Sequence, residues 1–369
     1  MKILMINSVS GIRSTGRICV EIAEEYISNG HEVKIAYGRE DVPEKYKEIS
    51  VRIGSQKDVY LAVLKSRLLD NEGFNNKIPT RKFLKWADDY NPDILWLHNL
   101  HGYYINIEML FNWIKTRPAM KVKWTLHDCW TFTGHCAHFT LAKCDKWKTQ
   151  CQKCTQVRIY PKGVLLDNST NNYLNKKRLF TKIKDMELIV PSNWLADLVK
   201  QSFLKEYPIK VVRNKIDTLV FRYRESDFRE RYNLLDKKIV LGVASDWSDK
   251  KGLSDFIKLS QLLDEQFVVV LVGVTKKQKK LIPSNIIIME RTNNAIELAE
   301  IYSASDVFLN LTYEDNYPTV NLEAQACGTP CLTYRTGGSP ESVYPLNTID
   351  VGDLNMLINR IYEISCENN

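Results

Sequence analysis

Short apolar runs alternate with longer segments of helical period along most of the chain. "KILMIN" at the N-terminus, "HEVKIAYG", "PDILWLHN" and "KVKWTLHD" are compact runs bounded by Gly, Pro, Asn or Asp. That pattern predicts strands covered on both faces. "GRICVEIAEEYISNG" places apolar residues at helical spacing and stops at Gly30, which predicts a helix. "LIVPSNWLADLVKQSF" reads as a strand, a turn and a helix with Ser192 as its N-cap. The second half repeats the theme with the strands "KIVLGVAS", "FVVVLVG", "NIIIME", "DVFLN" and "TPCLTY". Helical segments such as "LSDFIKLSQLL" and "AIELAEIYSAS" lie between them. Strand–helix alternation predicts parallel sheets with helices on both faces. Residues 205–237 are polar, charged and weakly patterned, and read as a link between two doubly wound domains. The expected boundaries are 1–205, with a Cys-rich insertion at 134–155, then 206–352, then a C-terminal helix at 353–369.

Length supports two cores, since 369 residues exceed what one ordinary core holds. A composition of 44% apolar and 26% charged residues is that of a globular protein. No run reaches the ~20 apolar residues that span a bilayer, and "MKILMINSV" reads as a strand rather than a signal peptide. A cytoplasmic location with reduced cysteines is therefore expected. The formal charge of +7 suits an acidic partner: a nucleotide, nucleic acid or anionic lipid. Basic residues are spread along the chain without a recognition motif, so nucleic acid is not expected.

Ligands of open α/β sheets bind beyond the carboxyl ends of the strands. Two such domains facing each other would form a cleft, with its chemistry just after strands. After "DVFLN" comes "LTYEDNYPT", then a helix beginning near Val320. Glu323 would fall in its first turn, where a carboxylate can accept both hydroxyls of a diol such as a ribose. Asp315 could meet the hydroxyls of another sugar. Either acid alone is equally explained by the preference of acids for helix N-termini. "SDWSDKKGL" puts Lys250 and Lys251 beside Gly252 at a helix start, a setting that suits a diphosphate. In "NSVSGIRSTGRI", between strand one and helix one, Gly16 permits close backbone approach and Arg17 adds charge. Five of the six histidines fall between His98 and His138, four of them in "WLHNLHGYYIN" and "WTLHDCWTFTGHC".

"EDNYPTVNLEAQACGTP" followed by "GGSPE" resembles the donor-site signature of family-4 glycosyltransferases. These are retaining enzymes of the GT-B fold, with two Rossmann-like, doubly wound domains facing across a cleft and no metal requirement. The resemblance implies an acceptor-side first domain and a donor-binding second domain. Glu323 would take the ribose, and Asp315, with Glu314 beside it, would face the transferred sugar. The N–H groups of Asn316, Tyr317 and Thr319 would complete the pocket, while Pro318 has none to offer. Lys251 would grip the donor phosphates. An Arg five or six residues earlier is usual in the family, but Ser245 and Asp246 stand there, and Lys250 is the available replacement. "WTLHDCWTFTGHC" resembles enzymes of bacterial colanic-acid and O-antigen assembly. It implies that His127 lines the site beside the donor sugar, with His98, Asn99, His101 and Asp128 on the acceptor side. His127, Lys251 and Asp315 are the residues expected to act in catalysis.

Cys136, Cys144, Cys151 and Cys154 form C-x7-C-x6-C-x2-C. Four thiolates at such spacing can hold a tetrahedral zinc; two disulfides or free thiols are the alternatives, and His135 or His138 could replace a thiolate. Any zinc would be structural, because four thiolates leave no open position. The remaining cysteines, Cys19, Cys129, Cys327, Cys331 and Cys366, read as buried small residues. "NNYLNKKRLFTKIKD" interleaves basic and apolar residues, as either a helix lying on anionic lipid or a solvated helix face.

The expected function is transfer of a hexose or N-acetylhexosamine from a nucleotide diphosphate sugar, a UDP-sugar by preference. The acceptor would be a hydroxyl of a lipid-linked surface polysaccharide or O-antigen intermediate, met at the inner face of the membrane, with no cofactor for catalysis. A GT-B sugar-nucleotide epimerase and a non-catalytic, zinc-stabilised binding module are the alternatives.

Overall fold

The apolar runs become strands of two parallel sheets. The computed structural model describes residues 1–245 and 247–367, and the chain divides into two units, Met1–Arg213 and the segment from Asn214 onward. The first unit runs β1 (Lys2–Ile6), α1 (Arg13–Ser28), β2 (Glu32–Tyr37), β3 (Ser50–Arg52), α2 (Gln56–Leu69), α3 (Lys77–Tyr90) and β4 (Ile94–Leu97). It continues with α4 (Ile107–Lys115), β5 (Lys121–Thr125), α5 (Ser169–Phe180), β6 (Met186–Val190), α6 (Asn193–Gln201) and β7 (Ile209–Val211). The sheet order is β3-β2-β1-β4-β5-β6-β7, all parallel. Helices on both faces explain the unbroken apolar run of β1, where Ile3, Leu4, Met5 and Ile6 are all buried. Ser192 caps α6 as expected, its hydroxyl accepting from Leu195 N–H at 3.1 Å.

The second unit runs α7 (Phe228–Arg231), β8 (Lys238–Val243), α8 (Leu253–Leu262), β9 (Phe267–Val272), α9 (Lys276–Lys279), β10 (Ile286–Met289) and α10 (Ala295–Ser303). Then follow β11 (Val307–Asn310), α11 (Thr319–Ala326), β12 (Cys331–Tyr334), β13 (Thr348–Ile349) and α12 (Leu354–Glu367). Its sheet order is β10-β9-β8-β11-β12-β13, again parallel.

Several elements differ from the sequence reading. The first unit extends past residue 205, because Ile209–Val211 pairs with β6 as the edge strand. The supposed link also supplies core to the second unit, through buried Phe221 and Phe228. The C-terminal helix is part of that unit's core, with Leu357, Ile361 and Ile364 buried in it. Residues 368 and 369 of the expected helix lie outside the described residues. Most apolar residues of α5 do not face outward: Tyr173, Leu179 and Phe180 are buried in the first unit, as is Ile183 just beyond the helix, while Leu174 is exposed. Cys366 is exposed, whereas Cys19, Cys129, Cys327 and Cys331 are buried as expected.

Candidate functional site

Strand order reverses between β1 and β4 in the first sheet and between β8 and β11 in the second. Such switch points open a crevice at the strand ends. The candidate residues collect at both.

In the second unit, Lys250 and Lys251 follow β8 in a single 3-10 turn that ends at Gly252. Gly252 has φ +74°, and a Cβ there would lie 2.3 Å from the Leu311 carbonyl oxygen. Only glycine lets the turn lie this close to the end of β11. Two contacts fix it: Tyr313 N–H donates to the Lys250 carbonyl at 2.8 Å, and Thr312 Oγ1 donates to the same oxygen at 3.3 Å. The lysines then meet the acids that follow β11. Lys250 Nζ lies 2.5 Å from Glu314 Oε2, and Lys251 Nζ lies 2.7 Å from Asp315 Oδ2. The Glu314 carboxylate is buried and the Lys251–Asp315 pair is half-exposed.

"GGSPE" closes the other side of this loop. Gly338 N–H donates to the Asp315 carbonyl at 3.2 Å, and a Cβ on Gly337 would sit 1.9 Å from that oxygen. Asn321 ties β11 to α11 inside the unit, accepting from Asn310 Nδ2 at 2.8 Å and donating to Ser342 Oγ at 2.8 Å. The helix begins at Thr319, so Glu323 is its fifth residue, one position deeper than the sequence reading placed it and just past the first turn. Glu323 is buried, and Tyr302 Oη donates to its Oε2 at 3.4 Å. Among the backbone donors expected to line a pocket, Asn316 N–H is engaged by Asp315 Oδ1 at 2.9 Å. Tyr317 is buried, its carbonyl accepting from Asn214 Nδ2 at 2.9 Å, and Thr319 opens the helix. Asp246 lies outside the described residues, and Ser245 just follows the β8 strand end.

In the first unit the switch point carries histidines. Buried Asn7, after β1, accepts from Asn99 N–H at 3.2 Å and joins the ends of β1 and β4. His98 follows β4 and His127 follows β5, and their rings stack with His98 Nδ1 and His127 Nε2 3.1 Å apart. Burial, reinforced by the neighbouring imidazole, holds His98 well below the usual histidine range. Burial likewise pushes His127 down to about 4, against the opposing pull of Asp128. Both rings are therefore neutral at pH 7, one nitrogen of the pair donating and the other accepting. His98 Nε2 is buried without a hydrogen-bond partner among the described residues. His101 bridges two groups, Asp128 Oδ2 at 2.8 Å and Tyr160 Oη at 2.9 Å. Burial works against the Asp128 charge, but the His101 charge and hydrogen bond prevail and bring its carboxyl to about 2.

Gly16 and Arg17 lie inside α1 rather than in the loop before it. The Gly16 site is a packing contact: a Cβ would meet Val9 Cγ2 at 3.1 Å and Gly11 N at 3.2 Å. Arg17 is half-buried on that helix.

Sequence reasoning missed three residues that shape this end. Buried Glu72 accepts from Gly102 N–H at 2.7 Å and Tyr103 N–H at 2.8 Å, fixing the loop that carries His101. Tyr160 orients His101 from a distant loop. Buried Lys176 donates to the Trp130 and Thr133 carbonyls at 2.7 and 3.1 Å, and burial pushes it down to about 7. Glu72 and Tyr160 stand outside any periodic pattern, and Lys176 looked like one cation among several.

Cys136 and Cys151 are buried and Cys144 and Cys154 half-buried; the first three pack into the apolar core of the unit that also holds Trp147 and Phe139. A hydrogen bond from Cys136 is the chief cause that brings the Cys154 thiol down to about 7. Cys151 Sγ accepts from Gly134 N–H at 3.2 Å. His135 does not join them, because its ring nitrogens meet Asp70 Oδ1 at 2.5 Å and the Ile159 carbonyl at 3.2 Å. Among the described residues, no three His, Cys, Asp or Glu side chains are arranged to hold a metal ion.

Two Rossmann-like units with polar clusters at both switch points define a two-domain α/β protein of the GT-B class. Family models make the assignment specific. Residues 15–219 match Glycosyltransferase Family 4 and residues 224–364 match Glycosyl transferases group 1, so the chain belongs to Glycosyltransferase Family 4. It is 26% identical over 257 residues to WcaC of Escherichia coli (strain K12), named as a colanic acid biosynthesis glycosyl transferase. That match covers 68% of this chain and 62% of WcaC. Among solved structures, the sucrose-phosphate synthase of Thermosynechococcus elongatus superposes with a TM-score of 0.70 at 16% identity, covering 99% of this chain and 90% of that one. HepE of Anabaena, solved with UDP-glucose, gives 0.65 at 15% identity, covering 100% and 90%.

Proposed function

We propose that this protein is a retaining glycosyltransferase that moves a hexose or N-acetylhexosamine from a UDP-sugar to a hydroxyl of a lipid-linked surface polysaccharide or O-antigen intermediate. It would work in the cytoplasm, at the inner face of the membrane. The observation that carries this reading is the pair of lysine–carboxylate contacts at the second switch point. Two cations from the turn after β8 and two acids from the loop after β11, brought together at one switch point, match a ligand that joins a diphosphate to a polyol. The UDP-glucose bound by HepE and the biosynthetic role named for WcaC support the donor and the pathway class.

In this reading Lys250 and Lys251 hold the diphosphate, Glu314 and Asp315 meet the sugar hydroxyls, and Glu323 takes the ribose. The acceptor hydroxyl attacks the anomeric carbon on the face from which the diphosphate leaves. Its proton passes to a donor phosphate oxygen as the bond from carbon to diphosphate oxygen breaks. The protein contributes positioning, and stabilises the charge that grows on the diphosphate. His127, neutral and braced by His98, offers one hydrogen bond to the sugar. His98, Asn99, His101 and Asp128 lie on the acceptor side.

The test is turnover of radiolabelled UDP-sugars with and without a membrane extract as acceptor. Label moving into the lipid fraction supports transfer, and Glu323→Ala should weaken UDP affinity about tenfold by removing a charged hydrogen-bond partner. Epimerised sugar without acceptor would replace the reading with the epimerase.

A structural zinc on Cys136, Cys144, Cys151 and Cys154 is a separate proposal, supported by their spacing in the sequence; the described side chains are not arranged to hold a metal ion as they stand. It would stiffen the segment after His127 and take no part in the chemistry. About one zinc per chain, lost in a Cys151→Ser/Cys154→Ser variant, supports it. Metal-free protein with freely titrating thiols overturns it.

A further inference from the structure

The helix α2 is apolar on two faces. Val59 and Ala62 are buried against the first unit, as expected of a surface helix. Its outward face carries Tyr60, Leu61, Leu64 and Leu68, exposed by 71, 54, 51 and 40%. A helix that is apolar all round is ordinarily enclosed; this one lies on the surface of its unit. The loop beside its C-terminal end adds Leu165 and Leu166, exposed by 70 and 53%. Val164 N–H donates to the Arg67 carbonyl at 2.6 Å, so the loop and the helix form one surface. Together these six side chains present on the order of 600 Å² of apolar area, at or above the largest patch usual on a monomer.

The surface is held rigidly. Ser55 and Asp58 form a capping box at the start of α2. Asp70, at the other end, accepts from His135 Nδ1, from Asn168 N–H at 2.9 Å, and through its carbonyl from Asn172 Nδ2 at 2.6 Å. The charge beside it is mainly cationic, and the adjoining Asp167 carboxylate is engaged by the Cys154 and Ser169 N–H groups at 2.6 and 3.0 Å. Lys57, Lys65 and Arg67 are exposed on α2, and Arg158 and Lys162 are exposed on the loop. No exposed residue of α2 is acidic, because Asp58 is half-buried and turned back to Ser55.

From this juxtaposition we infer that α2 and the loop at 158–166 form a docking surface for an anionic lipid bilayer. Leucine and tyrosine tips enter the acyl boundary, while the long cationic side chains reach phosphate headgroups. A protein partner or a second copy would need acids opposite these cations, whereas an anionic bilayer supplies them everywhere. The inference gives the proposed lipid-linked acceptor a place to be met, yet it is tested without donor or acceptor. Failure of the transferase reading would leave the vesicle result standing. It also relocates the membrane contact that the sequence offered as one of two readings of α5, where Tyr173, Leu179 and Phe180 are interior and only Leu174 is exposed among the large apolar side chains.

The experiment is vesicle co-sedimentation of the full chain, using phosphatidylcholine with or without about a third of phosphatidylglycerol. Binding should require the anionic lipid and weaken at high salt. Leu61→Glu/Leu64→Glu should lower the partition coefficient at least tenfold, and Lys57→Glu/Lys65→Glu several-fold. Both should leave UDP affinity and melting temperature unchanged, because all four positions are exposed. The variant Lys177→Glu/Lys182→Glu, on and just beyond α5, should bind vesicles like the wild type. The inference is overturned if the wild type ignores anionic vesicles, or if only the Lys177→Glu/Lys182→Glu variant loses binding. It is equally overturned if light scattering shows a dimer that Leu61→Glu/Leu64→Glu splits while vesicles go unbound.

Discussion

Gly252→Ala tests how tightly the lysine turn is set against β11, with Gly352→Ala as its control in the same unit. Both glycines are left-handed, at φ +74° and +82°. A methyl at Gly352 would meet nothing within 4 Å, so that variant costs only the backbone term, about 1 kcal/mol. At Gly252 the methyl would stand 2.3 Å from the Leu311 carbonyl oxygen and 2.7 Å from Leu311 Cβ. That is roughly 1 Å short of ordinary contact, and a buried backbone carbonyl just past β11 has little room to turn aside. The lysine turn must recede, stretching the 2.8 Å bond from Tyr313 N–H to the Lys250 carbonyl, worth about 1 kcal/mol. It also draws Lys250 from the buried Glu314 carboxylate, for about 1–2 kcal/mol more. The sum is about 3–4 kcal/mol against about 1. For a unit of this size that means a melting point lowered by about 10 °C for Gly252→Ala and about 3 °C for Gly352→Ala. Calorimetry of the full chain measures both, and UDP titration should show weaker binding only for Gly252→Ala. Equal melting points in the two variants would refute the close packing of the turn on β11.

Three further outcomes follow from the same geometry. Lys251→Ala should lower kcat more than it raises KM, because the diphosphate gains charge as it leaves; steady-state kinetics with unchanged kcat would remove Lys251 from that role. His127 is held at about 4, below the ordinary 6.5, so the unfolded chain takes up this proton first as pH falls. Stability from this site is complete above pH 6.5 and fades toward pH 4, by about 2 kcal/mol at pH 5. The wild type should therefore lose more urea resistance than His127→Gln between pH 7 and 5, and matching slopes contradict the assignment. Lys176→Met removes the buried donor shared by the Trp130 and Thr133 carbonyls, leaving Trp130 only its 3.4 Å contacts from Thr133, and should cost about 2–3 kcal/mol in urea unfolding.

Much of this protein is legible in the order of its residues. The unbroken run "KILMI" could only be a doubly covered strand, and Ser192 announced its helix. "YEDNYPTVNLEAQACGTP" and "GGSPE" located the second switch point, because motifs of this kind are local: glycines, a proline and acids within one loop and one helical turn. Long-range partners were not legible. Nothing near Glu72 in the chain foretells that it holds the backbone at Gly102 and Tyr103. Nothing in "YPKG" shows that Tyr160 meets His101. The pairing of Lys250 with Glu314 and of Lys251 with Asp315 joins residues 64 apart, and arises because β8 and β11 are neighbours in the sheet.

Helix faces divide in the same way. The sequence gives "NNYLNKKRLFTKIKD" an apolar and a basic side, but which side meets the core depends on what packs beside it. The fold turns Tyr173, Leu179, Phe180 and even Lys176 inward. In α2, whose apolar residues run all round, no periodicity could choose a face. Tertiary packing buried Val59 and Ala62 and left Leu61, Leu64 and Tyr60 outside. The sequence by itself determined strands, caps and the local chemistry of the loops, since these depend on residues a few positions apart. The tertiary structure alone decided which charges meet, which histidines stay neutral and which apolar face remains open, because each depends on neighbours that only the sheet order and helix packing bring together.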